Sequence, residues 1–391
     1  MRFLKTLIAA GGVAALASAV VAAPAMADPI NVHKHKVTPA AYDIVSVGSE
    51  SIAFVSDQLS YNYNKSVKHH GPSHPYYYSW DGVPAGSPNN TSQHVTLKAG
   101  CRNLRPDGSS AGITALTTYG TTKYKGKTYP CVDFARSSRA RKTTDPSTVA
   151  FDQLWQDAVT YSSASTTNVP NNLTEAQLAE IFGCTVPAAN GDPANTWGAL
   201  LGSKAKAGSA KTSIDPILPQ TGSGTLSFFT GVLGIAQTEP TCGTAASLST
   251  DAQPEENEGI SKVFLSGKKA NPNVIFPFSV GVWLAQEYHS AKCGKKPTKS
   301  QNLFGCQENG VLHLDGINGV KPFTGSGAKA VTNSAWRKTA FERELYAVEP
   351  LPLVSRLQGL LGKKGYFCSK KQAAVIKDYG FESDPLCGLT S

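Results

Sequence analysis

Beyond its opening stretch the sequence has no apolar run approaching the ~20 residues a membrane-spanning helix needs, so no span is expected after the first turn of the chain's thirties. It has no C-x-x-C pair, which speaks against zinc ribbons and thioredoxin-type chemistry. Neither a G-x-S-x-G elbow nor an H-E-x-x-H helix occurs, and no His stands in a context that pairs it with a Ser, so an enzyme is not expected. Its basic residues are not interleaved with aromatics in a stripe, so no nucleic-acid partner is expected either. No internal repeat is visible. Nothing in this pattern calls for a cofactor or a metal.

The N-terminus is informative. Arg2 and Lys5 are followed by the apolar stretch Leu7 to Val21 and then by Pro24-Ala25-Met26-Ala27, a small-x-small pattern. Residues 1–27 therefore read as a secretory signal peptide cleaved after Ala27. No Cys follows the apolar run, so no lipid-attachment site is expected at the mature N-terminus. The expected product is secreted or held at the cell wall, and monomeric. Its eight cysteines, Cys101, Cys131, Cys184, Cys242, Cys293, Cys306, Cys368 and Cys387, are an even set in an exported chain, which argues for disulfides. Sequential neighbours (101–131, 184–242, 293–306, 368–387) are expected to pair, because short loops close at the lowest entropic cost. Without Arg2 and Lys5 the chain carries 35 basic and 28 acidic residues, a charge of +7. The excess is scattered, as at Lys204-Lys206-Lys211 and Lys268-Lys269. Such a field steers small anions, suits an anionic wall, or is a solvated surface.

Residues 28–39 read as a flexible leader. From Asp43 onward, short β-branched strands, small polar turns and amphipathic helices alternate, the pattern of an α/β fold. The stretches 204–212, 243–259 and 294–301 read as loops. Three strand-to-helix junctions share one design. Gly48-Ser49-Glu50-Ser51 precedes a helix with Ile52, Val55 and Leu59 on one face. Asp107-Gly108-Ser109-Ser110-Ala111-Gly112 leads into Ile113 and Leu116, and Thr221-Gly222-Ser223-Gly224-Thr225 opens a helix stopped by Gly234. Small residues there let a ligand approach the backbone, and the first-turn N–H groups, the dipole and the hydroxyls all point at it. Each junction is also an ordinary helix cap. Three in one chain suggest a shared oxyanion site.

With these residues in view, the chain resembles the PstS-type phosphate-binding proteins of ABC transporters, in the class II periplasmic-binding-protein superfamily, and most of all its secreted actinobacterial branch. The most specific stretch is Leu218-Pro219-Gln220-Thr221-Gly222-Ser223-Gly224-Thr225-Leu226. It is similar to the family's Arg-x-x-Gly-Ser-Gly-Thr helix start, which implies anion-donor roles for Ser223, Gly224 and Thr225. Gly108-Ser109-Ser110-Ala111-Gly112 resembles a Gly-Ser-Ser-Gly-Gly turn and assigns such a role to Ser109; Gly48-Ser49-Glu50 corresponds to the first ligand loop and adds Ser49 and Glu50. Val132-Asp133-Phe134-Ala135-Arg136-Ser137-Ser138 resembles the family's Val-Asp-Phe-Gly-Ala-Ser-Asp, the fourth wall, and adds Ser138. Leu173-Thr174-Glu175-Ala176-Gln177-Leu178 resembles a second-lobe helix start, and is a capping box in its own right.

Two positions depart from the pattern. The family's proton-accepting Asp falls on Ser138, and its Arg falls on Pro219. A Ser can donate where a carboxylate only accepts, which implies a less selective oxyanion site or one remade for another ligand. Arg136 and Arg139 flank Ser138 and are candidates for the missing cation, or are paired elsewhere. The resemblance implies a two-lobed α/β fold with a hinge: residues 40–150 and 280–391 form lobe 1, 151–279 form lobe 2, and crossovers lie near 151–161 and 276–279. It implies phosphate or a similar small oxyanion as ligand and an ABC permease as partner. The alternative is a wall-associated adhesin, scaffold or sensor that keeps the fold without transport. His69, His70 and His74 beside Tyr76, Tyr77, Tyr78 and Trp80 are read as surface packing, a partner or sugar contact, or a metal site.

Overall fold

The computed structural model describes residues 28–82, 93–243, 253–257, 265–266, 269–290, 298–305 and 312–390. Its organising element is one long strand, Val149–Ala164. The segment is rich in Val, Phe, Trp, Tyr and Thr, residues that suit a pleated surface. All but two of its sixteen positions are buried, because strands flank it on both sides and other elements cover both faces.

The long strand changes partners midway. Its first part pairs antiparallel with Glu342–Pro350, from Pro350 opposite Val149 to Glu342 opposite Ala158, and on its other edge with Glu382–Ser383. Its last residues pair antiparallel with Val274–Ser279 and with Leu312–Ile317. The two crossover segments expected from the sequence are thus hydrogen-bonded neighbours, with Tyr161 opposite Pro277. From Glu342–Pro350 the sheet continues through Phe134–Ser137 and Ile44–Gly48 to Tyr77–Ser79, and in the other direction Val274–Ser279 leads to Asp215–Pro216. Ile44–Gly48 lies parallel to both of its neighbours and is buried throughout, as strands covered on both faces are. Among the described residues this is a ten-stranded sheet.

Three helices carry the junctions to one place. Ala53–Ser66 follows the first junction, Gly108–Thr118 grows out of the second, and Gly224–Leu233 out of the third. The last is capped by Ser223 and closed by Gly234 in the left-handed region, as its sequence predicts. Thr174 and Gln177 form both bonds of the capping box on Glu175–Phe182. A buried ion pair holds the turn ahead of Phe134–Ser137: Lys98 Nζ reaches Asp133 Oδ2 at 2.5 Å and the Asp43 carbonyl at 2.7 Å. Asp133 also accepts the Val45 N–H at 2.8 Å and a guanidinium N–H of Arg356.

Cys101–Cys131, Cys184–Cys242 and Cys368–Cys387 are bonded. Closing the separation of 58 residues between Cys184 and Cys242 removes chain entropy worth about 4 kcal/mol in loop-closure terms. The 293–306 pairing and the signal peptide lie outside the described residues. The residues read as a flexible leader have partners in the fold. Residues 28–39 are docked, with Asp28 paired to Arg105 Nη1 at 2.5 Å, Ile30 buried, and the Pro39 carbonyl accepting the Ala99 N–H at 2.8 Å. Exposed polar side chains hid that anchoring.

Burial pushes Glu344 up to about 8, with Asp384 hydrogen-bonded beside it, and likewise Glu349 up to about 8, with Asp152 beside it. Asp57 is also pushed up to about 8 by burial, against the pull of Arg136. A carboxyl whose folded pKa is raised adds stability that is complete below its unfolded pKa and is lost as pH rises through the folded value. The thermal midpoint is therefore expected to fall by at least ~2 °C between about pH 6 and pH 9. Glu344→Gln, which mimics the protonated acid, is expected to flatten that decline. Thermal unfolding at stepped pH measures both, and a midpoint that rises across the window rejects the assignment.

Candidate oxyanion site

The three junctions converge. Gly48, at φ +107°, brings its chain against the Arg136 carbonyl, where a Cβ would clash, and so places Ser49 beside the end of Phe134–Ser137. Ser49 Oγ lies 2.9 Å from Ser138 Oγ. Ser109 Oγ accepts the Ser138 N–H at 3.1 Å and lies 3.4 Å from Ser138 Oγ. Gly224 packs onto these two hydroxyls so closely that any side chain there would collide with both. Ser223 caps its helix by accepting the Leu226 N–H at 3.1 Å, which leaves its hydroxyl proton for another partner.

That partner is a carboxylate from the chain itself. Glu256 Oε1 accepts from Ser49 Oγ at 2.5 Å and from the Ser51 N–H at 2.9 Å. Glu256 Oε2 accepts from Ser223 Oγ at 2.5 Å and from the Thr225 N–H at 3.0 Å. Ser138 Oγ stands 3.5 Å from Oε1, at the edge of the same cradle. Burial alone would raise the Glu256 carboxyl, yet Arg343 and the donors of Ser223, Ser49 and Thr225 outweigh it and hold the pKa below the ordinary value. Glu256 is an anion here. Its charge rests in hydroxyls and helix-start N–H groups, the arrangement that favours an oxyanion.

Arg343 supplies the cation. It lies in Glu342–Pro350, where alternation turns its side chain into the interior. Its Nη1 donates to Thr225 Oγ1 at 2.8 Å and to the Ser138 carbonyl at 3.3 Å, and its Nη2 to Ser51 Oγ at 3.2 Å. Nε and Nη2 grip Asp157 Oδ2 at 3.0 and 2.7 Å. Asp157 also accepts from Ser279 Oγ and the Gly281 N–H, so it ties the long strand to the start of Val280–Leu284.

The sequence-predicted residues are placed unequally. Ser49, Ser223 and Thr225 touch the carboxylate directly; Ser138, Ser109 and Gly224 build the wall behind it. Glu50 does not join them. Its carboxyl turns away, accepting the Gly82 N–H and lying 3.3 Å from Asn257 Nδ2. Burial first, then the nearby Asp81, raises it well above its usual range. Its side chain is thus not among the groups that hold the Glu256 carboxylate. Arg136 and Arg139 do not supply the missing cation. Arg136 spends its donors on Ser46, Ser79 and the carbonyls of Gly48, Ser49 and Trp80, and Arg139 clasps Asp145 at 2.7 and 2.8 Å. Pro219 stays in the loop ahead of Gln220. Sequence reasoning missed Arg343, Asp157, Ser51 and Glu256. Glu256 lies in the stretch 243–259 read as a loop, of which the described residues 253–257 are all buried. No local sequence signal marked Arg343.

The histidines stand apart from the site. The His70 ring stacks on Tyr76 at 3.8 Å and its Nε2 meets Asp43 at 2.7 Å, a packing role. Among the described residues no group of three or more His, Cys, Asp and Glu side chains is arranged to hold a metal, and no helix is long and apolar enough to cross a membrane.

No family model and no curated protein matches the sequence. Solved structures do. A phosphate ABC transporter substrate-binding protein of Clostridium perfringens, solved with bound phosphate, aligns over 88% of this chain and 99% of its own at 14% identity and a TM-score of 0.51. An ABC-type phosphate transport receptor of Vibrio cholerae aligns over 88% of this chain and 100% of its own at 15% identity and a TM-score of 0.49. PstS of Borrelia burgdorferi aligns over 87% and 98% at 16% identity and a TM-score of 0.41. The first of these likenesses carries the assignment of fold: the chain has the two-lobed α/β periplasmic-binding-protein fold, stapled by disulfides.

Arg343 and Asp157 are both almost fully buried, and removing one partner strands a charge. Arg343→Met is expected to cost about 3–5 kcal/mol in urea unfolding, and the double variant Arg343→Met/Asp157→Leu to recover part of that loss. Equal stability of Arg343→Met and the wild type refutes the central role given to this pair.

Proposed function

We propose that the chain is a solute-binding protein that captures phosphate or a related oxyanion between two lobes outside the cytoplasm and presents it to an ABC-type permease. One observation carries this reading: four donors from two separate junctions, with Arg343 behind them, converge on a single carboxylate. A cradle that holds two carboxylate oxygens in this way is chemically an oxyanion receptor. The matching donor chemistry of the family that the sequence resembles supports the same reading, as does the phosphate-bound neighbour of the same fold.

Ser49, Ser109 and Ser138 belong to the lobe assigned to residues 40–150 and 280–391, and Ser223, Gly224 and Thr225 to the lobe assigned to 151–279. Opposed donors of this kind are completed by closure, and closure excludes water and strengthens each bond. The role is binding rather than catalysis: Ser223 serves as a helix cap and as a hydrogen-bond donor to the Glu256 carboxylate. The leader sequence supports secretion, with the wall as a place of retention.

Ser138 replaces a carboxylate acceptor with a hydroxyl, so protonated and unprotonated tetrahedral anions are treated alike. By titration calorimetry the chain of residues 28–391 is expected to bind phosphate and sulfate with less than about tenfold discrimination. Ser223→Ala is expected to weaken phosphate binding by about 10-fold or more, the worth of one hydrogen bond to a charged group. If phosphate, sulfate and methylphosphonate all fail to bind below millimolar, both to this chain and to one lacking the Glu256 carboxylate, the reading is wrong and the non-transport, wall-associated role takes its place.

A further inference from the structure

We propose that Glu256 is a tethered competitor for the oxyanion site, so that a free anion enters only by displacing this carboxylate, and that the competition decides which anions the site accepts. The inference rests on the oxyanion reading above. It starts from exclusivity. Both Glu256 oxygens occupy the atoms that define the cradle, Ser49 Oγ and the Ser51 N–H on one side and Ser223 Oγ and the Thr225 N–H on the other. A second anion cannot share those donors, nor sit beside a buried carboxylate that already draws on Arg343.

The seat is built to be vacated. Gln253-Pro254-Glu255-Glu256-Asn257 brings no large apolar side chain to the core. Its other anchors are polar: the Pro254 carbonyl accepts the Gln220 N–H at 3.0 Å, Gln253 Nε2 reaches Glu239 Oε2 at 2.6 Å, and the Asn257 carbonyl accepts from Gln286 Nε2 at 2.7 Å. Water can replace each of these, whereas a buried Leu or Phe would have held the segment by its area. The segment's remaining contacts are also polar: Glu255 shares a hydrogen bond with Asp107, and Asn257 Nδ2 donates to Glu50 Oε2 at 3.3 Å.

The competition is unequal in a useful way. A carboxylate offers two oxygens and satisfies four donors. Further hydroxyls line the same space: Ser51 Oγ and Thr225 Oγ1, 3.1 Å apart and both held by Arg343, Ser109 Oγ at the wall, and Ser138 Oγ, which reaches Glu256 only at 3.5 Å. A tetrahedral oxyanion brings more acceptors and more charge and can engage this second set. A free monocarboxylate brings only what Glu256 already supplies, and Glu256 is present at the effective concentration of a tethered group, on the order of millimolar. Glu256 therefore rejects acetate-like ligands and sets the affinity that phosphate must exceed.

The test compares residues 28–391 with Glu256→Ala and Glu256→Gln by titration calorimetry with phosphate and with acetate, alongside hydrogen exchange of the peptide containing residues 253–257. Glu256→Ala is expected to bind phosphate at least ~30-fold more tightly than the wild type, because its competent state no longer has to be won from an internal ligand. It is also expected to bind acetate measurably where the wild type does not. In the wild type, saturating phosphate is expected to strip protection from residues 253–257. Binding by the variant alone is the strong limit of the same competition and supports it. Equal phosphate affinities in wild type and Glu256→Ala overturn the competitor role while leaving the oxyanion site standing. No binding by any of the three chains overturns both. Should Glu256→Ala fail to fold, Glu256→Gln, which keeps the shape and loses the charge, decides the affinity comparison. Unchanged exchange of 253–257 in phosphate-saturated wild type overturns the proposal in either case.

Discussion

One buried guanidinium, Arg343, stands between two carboxylates, Asp157 and Glu256, and most of what surrounds the site is arranged around that imbalance. One positive charge cannot neutralise two negative ones in a medium of low polarity. The deficit is made up by oriented dipoles. Asp157 draws on Ser279 and the Gly281 N–H; Glu256 draws on Ser49, Ser51, Ser223 and Thr225. The helix starts that reach the centre are therefore part of its charge balance as much as of its architecture. Arg136 has no such deficit. It is wrapped by hydroxyls and carbonyls and serves the strands that carry Ser49 and Ser138.

The departures from the expected pattern make sense together. The resemblance implies an Asp where Ser138 stands and an Arg where Pro219 stands, which taken one at a time would leave a cradle with neither its acceptor nor its cation. The cation returns from a different strand as Arg343, paired with Asp157 rather than with a neighbour in sequence. The carboxylate returns from a segment far along the chain as Glu256. What the fold preserves is a set of donors at fixed positions; which residues supply the opposing charges has moved.

How far the sequence reveals this depends on the range of the interactions involved. The junctions at Ser49, Ser109 and Ser223 were legible because helix caps and strand-to-helix turns are local: the residue types, their spacing and the following apolar face all lie within a few positions of one another. The capping box of Thr174 and Gln177 and the stop at Gly234 were legible for the same reason. Disulfide partners close in sequence followed from the entropy of closing loops. Arg343 and Glu256 were not legible. Arg343 lies more than a hundred residues from each of its partners and Glu256 at least thirty from each of its own, and nothing near either in sequence distinguishes a buried Arg in a strand or a Glu in a polar stretch from their solvated equivalents. The direction of the Glu50 side chain was not legible either, because it is set by Gly82 and Asn257, which only the folded chain brings near. The docked leader escaped notice for a similar reason, since Arg105 is what holds Asp28.

The strand Glu342–Pro350 lies between Phe134–Ser137 and the long strand Val149–Ala164, so two segments that are near neighbours in sequence are kept apart in the sheet by one made almost two hundred residues later. Until that late segment arrives, both earlier strands present bare edges, and Ser138 stands at the end of one of them. Arg343 travels in the same piece. Completion of the sheet and delivery of the guanidinium that stabilises the Glu256 carboxylate are thus a single event in the life of the chain. A product truncated or stalled ahead of Glu342 has neither.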